Sequence, residues 1–408
     1  MQQKYSTNNK TLIGLFLFWP VLGCVAACSD VSQRLNRTII LLFFVLYGLF
    51  VTINSEMDGA RRASIFEEIS HKPFADFFTV FDNSITEGSD FAEPLLMFVV
   101  SRVSDFHGVL FSVYALIFGS FFLVFFKKIA RFHYEQPSVN SLFFLFILAW
   151  VNPIFNINGF RMWTAAWVFS LGVLLYIINK KKQYILVAGL SVFIHFTFIP
   201  IFLLFCLYTI IGNRTFAYGI AAIITFFIAE LDIAAVKQYA TYLGPAFEEK
   251  ITVYSYEGHI EDVNQNQQNM VWYIQLGPKI FFFFLNICLL FVYKKSKGFF
   301  ENKVLESLYS ITLLFLTFSN IAVLLPSGER FRTVFYIFAS ASLLIYYTQE
   351  GFSKKLHKIN LFGLPIVAFV ILITFRIGSD TISPYLLGPS ITMIGGFYDV
   401  TSLKDILF

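Results

Sequence analysis

A guanidinium stays ionised at physiological pH and presents a planar fork of donors, so an arginine that opens a membrane-length apolar run can bind phosphate oxygens. Arg161, in Asn156-Ile157-Asn158-Gly159-Phe160-Arg161-Met162, opens such a run after a very short turn. Arg330 and Arg332, in Pro326-Ser327-Gly328-Glu329-Arg330-Phe331-Arg332, open another. Two such turns could clamp one dianion; the plainer role of Arg161 is an anchor snorkelling to lipid headgroups. His195 lies inside an apolar run, where an imidazole could take a proton from a hydroxyl nucleophile, donate a hydrogen bond to phosphate, or simply pack. Asp58, followed by Arg61 and Arg62, and Glu93, followed by Pro94, add carboxylates. Either serves as a general base or as an ion-pair partner of the arginines, and the sequence leaves both open.

Other chemistries lack their residues. There is no phosphate loop, no His-Glu-x-x-His zinc helix and no Gly-x-Ser-x-Gly elbow. The nearest carboxylate pair, Glu230-Leu231-Asp232, reads as solvated surface more readily than as a metal site. Cys24, Cys28, Cys206 and Cys288 all sit in apolar runs and read as packing residues, not as a disulfide or zinc framework. Lys279 beside Pro278 is the one conspicuous charge within a span. No cofactor, metal or nucleic-acid partner is expected.

The elements that position these residues follow from composition. Of 408 residues 57% are hydrophobic and 14% charged, with 53 Phe, which excludes a soluble globule. Apolar blocks match the roughly 30 Å hydrocarbon thickness, and unbroken runs such as 280–291 lack the alternation of a membrane β-barrel. The expectation is an all-α polytopic membrane protein of about 10–12 transmembrane or re-entrant helices, with its chain, 1–408, forming a single integral membrane domain. The expected spans are 11–29, 38–53, 108–126, 141–157, 162–178, 215–230, 271–293, 304–325, 331–348 and 361–377. The start imitates an exported lipoprotein, Lys4 and Lys10 preceding an apolar stretch that ends Val21-Leu22-Gly23-Cys24, but the basic clusters favour a first span.

Those clusters set sidedness. Arg34/Arg37, Lys127/Lys128/Arg131, Lys180 to Lys182, Arg214, Lys294/Lys295/Lys297/Lys303 and Lys354/Lys355/Lys358 place 16 positive charges in short loops, which are expected to be cytoplasmic. Only five of the 26 acidic residues share that side, so the chemistry is expected on the outer one. Segment 184–211 lies between two cytoplasmic signals, Lys182 and Arg214. It must enter and return, as a re-entrant helical hairpin turning near His195 to Pro200, unless it is one kinked span. Non-helical backbone at membrane depth needs burial in protein or a wet cavity. Two long external segments remain, 54–107 and 231–270; the second is rich in Tyr, suited to stacking on sugar rings.

Taken in order, these pieces resemble the EpsG and Wzy-type polysaccharide polymerases. Asp58 with Phe66 resembles the family's Asp-then-aromatic segment after the second span, and Glu93-Pro94-Leu95-Leu96 its Glu-Pro piece. Arg161 resembles its Arg-Gln, His195-Phe196-Thr197 its His-x-Ser/Thr piece, and Arg330 and Arg332 its late outer arginines. The sequence departs from the pattern at Met162, where Gln is usual, at Arg62, where Tyr is usual, and in lacking the Gly before Asp58.

The resemblance implies a GT-C-like architecture and a metal-independent glycosyltransferase. Its activity would be polymerisation of undecaprenyl-diphosphate-linked oligosaccharide repeat units into O-antigen, capsule or exopolysaccharide, at the periplasmic face of a bacterial inner membrane. Its partners would be the lipid-linked donor and acceptor, membrane lipid and a chain-length regulator protein. Arg161, Arg330, Arg332 and Arg62 would bind diphosphate, and His195, Asp58 or Glu93 would take the acceptor's proton. The rival readings are a flippase of lipid-linked saccharides and an O-antigen ligase. Repeated halves would favour the flippase, and none are visible.

Overall fold

The computed structural model describes residues 8–54, 58–78, 90–228, 271–296, 300–325, 327–349, 354–399 and 401–407. Among them there is helix and no strand, as backbone that must satisfy itself within lipid requires. Five stretches are long and apolar enough to cross a membrane: His107–Glu135, Val139–Asn179, Trp272–Ser296, Lys303–Ala322 and His357–Thr381. The protein is an all-α polytopic membrane protein.

The chain begins with α1 (Asn9–Phe18), α2 (Pro20–Ala27) and α3 (Arg34–Leu49). The expected single span 11–29 is corrected here, because it breaks at Trp19 and folds back. Pro20 removes an amide and pushes Trp19 out of the helical region, to φ −145° and ψ 89°. Gly23 then lies so close to the Phe16 backbone that any Cβ there would collide with it. The break is tied down by neutral bonds, from Trp19 Nε1 to Leu387 O at 2.7 Å and from Ser390 Oγ to Leu17 O at 2.6 Å.

Two short helices follow, α4 (Asp58–Ser70) and α5 (Ala92–Ser101), then the long α6 (His107–Glu135). Helix α7 (Val139–Trp150) meets α8 (Phe160–Asn179) through a 3₁₀ turn, Ile154–Gly159. Helices α9 (Gln183–Ile194) and α10 (Ile199–Ile211) come next, separated by His195 at φ −147° and a short 3₁₀ turn, with Pro200 in the first turn of α10. They run side by side in opposite directions. Lys180, just before α9, and Asn213, just after α10, both reach Ser307 Oγ at 3.2 Å, and Phe205 of α10 packs against Phe169 and Tyr176 of α8.

Past α11 (Thr215–Phe226) lie α12 (Trp272–Ser296), α13 (Lys303–Ala322), α14 (Arg332–Gln349) and α15 (Lys354–Gly378). Helix α14 is the axis of the bundle, since Thr333 through Tyr347 are all buried. Its stripe Ala339-Ser340-Ala341-Ser342 lets neighbours approach closely, and Thr312 of α13 bonds Ser342 across that seam at 3.1 Å. The expected loop 231–270, with Tyr239, Tyr242, Tyr254 and Tyr256, and the pair Glu230 and Asp232 lie outside the described residues.

Candidate functional site

Four elements distant in sequence meet at one end of the bundle, opposite the Lys180–Ser307 contact. Helix α5 brings Glu93 in its first turn, where Pro94 is tolerated because the amide it lacks has no helical partner. Asp90 lies three residues earlier. Arg161 is the second residue of α8, and its neighbour Phe160 is clamped flat against Tyr114 of α6, ring centroids 4.0 Å apart and planes 9° apart. Tyr114 in turn donates to Glu93 Oε1 at 3.3 Å. His195 comes from the break between α9 and α10, and Arg62 from α4.

Arg161 joins the two carboxylates. Its Nη1 is 3.0 Å from Asp90 Oδ2 and its Nε 3.1 Å from Glu93 Oε2, with the side chain one-fifth exposed. Among the described residues no partner is recorded for its Nη2. Arg62 pairs with Glu93 Oε1 and is almost wholly buried. Burial, then the neighbouring Arg161 charge, bring the Arg62 guanidinium down to about 10, so it stays protonated at neutral pH. Its Nε is buried without an acceptor among the described residues.

Asp90 has a side chain with no exposure at all, and it organises the break. Its Oδ2 faces His195 Nδ1 at 2.7 Å, and its Oδ1 accepts the Phe196 amide at 2.7 Å. One carboxylate thus satisfies an amide that the helix end leaves over and holds the imidazole. The ion pair favours the tautomer with a proton on Nδ1, which makes Nε2 the nitrogen that exchanges protons.

Of the residues singled out in the sequence, the structure brings together Arg161, His195, Glu93 and Arg62. Asp58 is exposed at the start of α4, and its charge acts on Arg62. The next residue, Gly59, approaches the Asn158 side chain so closely that a Cβ would collide, which seats α4 on the turn leading to Arg161. Among the described residues no ion pair or hydrogen bond joins the late arginines to this cluster. Their turn, Gly328–Phe331, borders the hairpin break, since Phe331 packs on Phe198 at 5.5 Å and Phe198 lies 6.4 Å from the His195 ring. Arg330 is exposed, while Arg332 turns to α12, its guanidinium 4.7 Å from the Phe282 ring centre. Lys279 is exposed on α12.

Asp90 was missed by the sequence reading. The signal available was its spacing, Asp90-Phe91-Ala92-Glu93, which puts two carboxylates about one helical turn apart at a helix start. Among the described residues no three His, Cys, Asp or Glu side chains gather as metal ligands; each carboxylate faces arginine instead.

The cluster can therefore present two fixed guanidiniums to an anion, with a carboxylate and an imidazole beside them for proton transfer. Neither curated proteins nor solved structures yield a match to the chain. The EpsG family model does match, over residues 37–387, a stretch that contains every residue of the cluster. The chain belongs to the EpsG family, and with it to the glycosyltransferase-type polymerases of polysaccharide synthesis.

Proposed function

We propose that the protein joins saccharide repeat units carried on undecaprenyl diphosphate, at the periplasmic face of a bacterial inner membrane. The observation that carries this reading is Arg161, held at the end of α8 by two carboxylates and flanked by Arg62. A donor of this class has its leaving group at headgroup depth. As the bond from the sugar C1 to the diphosphate oxygen breaks, negative charge grows on the diphosphate. Guanidiniums already in position stabilise that charge more than they stabilise the ground state, in the place of a divalent cation.

The acceptor hydroxyl must lose its proton as it bonds to C1. Glu93 and His195 both belong to the Arg161 cluster, and Asp90 fixes the imidazole's orientation. Arg330 is exposed on the turn that borders the hairpin break, and on this reading it meets the outer part of the substrate.

Purified protein incubated with lipid-linked repeat units should give a ladder of products, with or without a chelator. Arg161→Ala should abolish it while the protein still expresses. A wild-type ladder from Arg161→Ala removes this site from the reaction, and loss of the ladder with chelator removes the arginine-for-cation argument. A flippase would move intact units without lengthening them.

A further inference from the structure

Among the described residues the formal charges of the ion-pair cluster cancel: Arg62 and Arg161 stand against Asp90 and Glu93. A diphosphate reaching this cluster gains no net attraction from these four groups and sits beside two carboxylates, so one of them has to give way. The two are not equivalent. Asp90 is wholly buried and holds the His195 ring and the Phe196 amide, so its departure would undo the break between α9 and α10. Glu93 has a side chain 8% exposed, and its recorded partners are Arg62, Arg161 and the Tyr114 hydroxyl. All three are donors that a phosphate oxygen can take over. The buried Arg62 Nε, which has no acceptor among the described residues, adds a fourth.

We infer that a diphosphate ester binds here by exchange, its oxygens replacing the Glu93 carboxylate on Arg62, Arg161 and Tyr114 while Asp90 stays in place. The identity of the ligand rests on the polymerase reading; the exchange rests on the charges. Displaced from its arginines, Glu93 becomes the base. The acceptor oxygen bonds to the sugar C1 and its proton passes to Glu93. The bond from C1 to the diphosphate breaks, and its electron pair leaves on the diphosphate, against the two guanidiniums. Without the donor, Glu93 is held by the arginines and water meets no such base.

The test uses the full chain in detergent, titrated with inorganic pyrophosphate and, separately, with farnesyl diphosphate. Glu93→Gln removes the competing charge and keeps an amide in its place, so it should bind pyrophosphate at least tenfold tighter than wild type and make no ladder. The wild type offers a second reading independent of that variant's folding. A water-soluble carbodiimide should modify Glu93 severalfold faster once pyrophosphate or farnesyl diphosphate is bound, with Asp90 unchanged. An effect of farnesyl diphosphate alone assigns the exchange to the lipid ester. Equal affinity in a folded Glu93→Gln, or slower modification of Glu93 with both ligands, overturns the inference. Ladders without exchange sink the exchange alone, and exchange without ladders from the wild type sinks the polymerase reading alone.

Discussion

Two helix pairs in this molecule are folded back at the same kind of break, α1 with α2 and α9 with α10. Trp19 and His195 have nearly the same φ, −145° and −147°, and each is followed closely by a proline that starts the returning helix. A helix stop in a poorly hydrated setting leaves polar backbone groups to satisfy, and the two breaks do so differently. The first uses an indole N–H, a carbonyl and a serine hydroxyl, all neutral. The second uses Asp90, which then requires Arg161, which meets Glu93, which in turn meets Arg62. Charge brought in to close a break needs further charge, and the chain of partners becomes the site proposed above to stabilise an anion.

The contrast can be broken most severely at Arg161. Arg161→Ala should lower the polymerisation rate by at least about 10²–10³-fold, measured by ladder formation. It also strips Asp90 of its guanidinium and leaves Glu93 with Arg62 alone, at a cost of about 3–5 kcal/mol in a detergent unfolding experiment. Arg161→Lys should rescue little, because a point charge cannot bridge both carboxylates as the fork does. Asp90→Asn comes next. It keeps a hydrogen-bonding group against the Phe196 amide but loses the charge-assisted part, a loss of about 1.5–3 kcal/mol with a marked fall in activity.

The first break should answer only in stability. Gly23→Val forces a side chain onto the Phe16 backbone and should cost about 1–3 kcal/mol, with the folded fraction as active per molecule as wild type. Trp19→Phe removes one neutral hydrogen bond, about 1 kcal/mol, and should leave product lengths unchanged. If either variant proves inactive while fully folded, the division between an anchoring break and a reacting one fails.

The same comparison shows what the sequence could tell. Pro200 is readable as a stop because Lys182 and Arg214 bracket too long an apolar stretch for one crossing on the positive-inside rule. Pro20 carries the same local signal, but 11–29 has the length of one ordinary span, and length prevailed over the proline. Arg161, Glu93, Arg62 and His195 stand out as polar residues next to hydrocarbon. Asp90 does not, because its value comes from contacts with His195 and Phe196, more than 100 residues away, which no local pattern encodes. Arg332 and Arg161 look alike in sequence, each at the start of an apolar helix, yet one ends over a phenylalanine ring and the other between carboxylates. Local pattern gives depth in the membrane; direction around the helix depends on neighbours contributed by the rest of the chain.

The bonds from Trp19 to Leu387 and from Ser390 to Leu17 join points 368 and 373 residues apart. At the usual ribosomal pace of about 5–20 residues per second, the opening helix pair waits roughly 20–70 seconds for the backbone that latches it. Throughout that interval the proline-broken first hairpin is without these two bonds. A nascent chain stopped short of residue 387 therefore has an unlatched first hairpin.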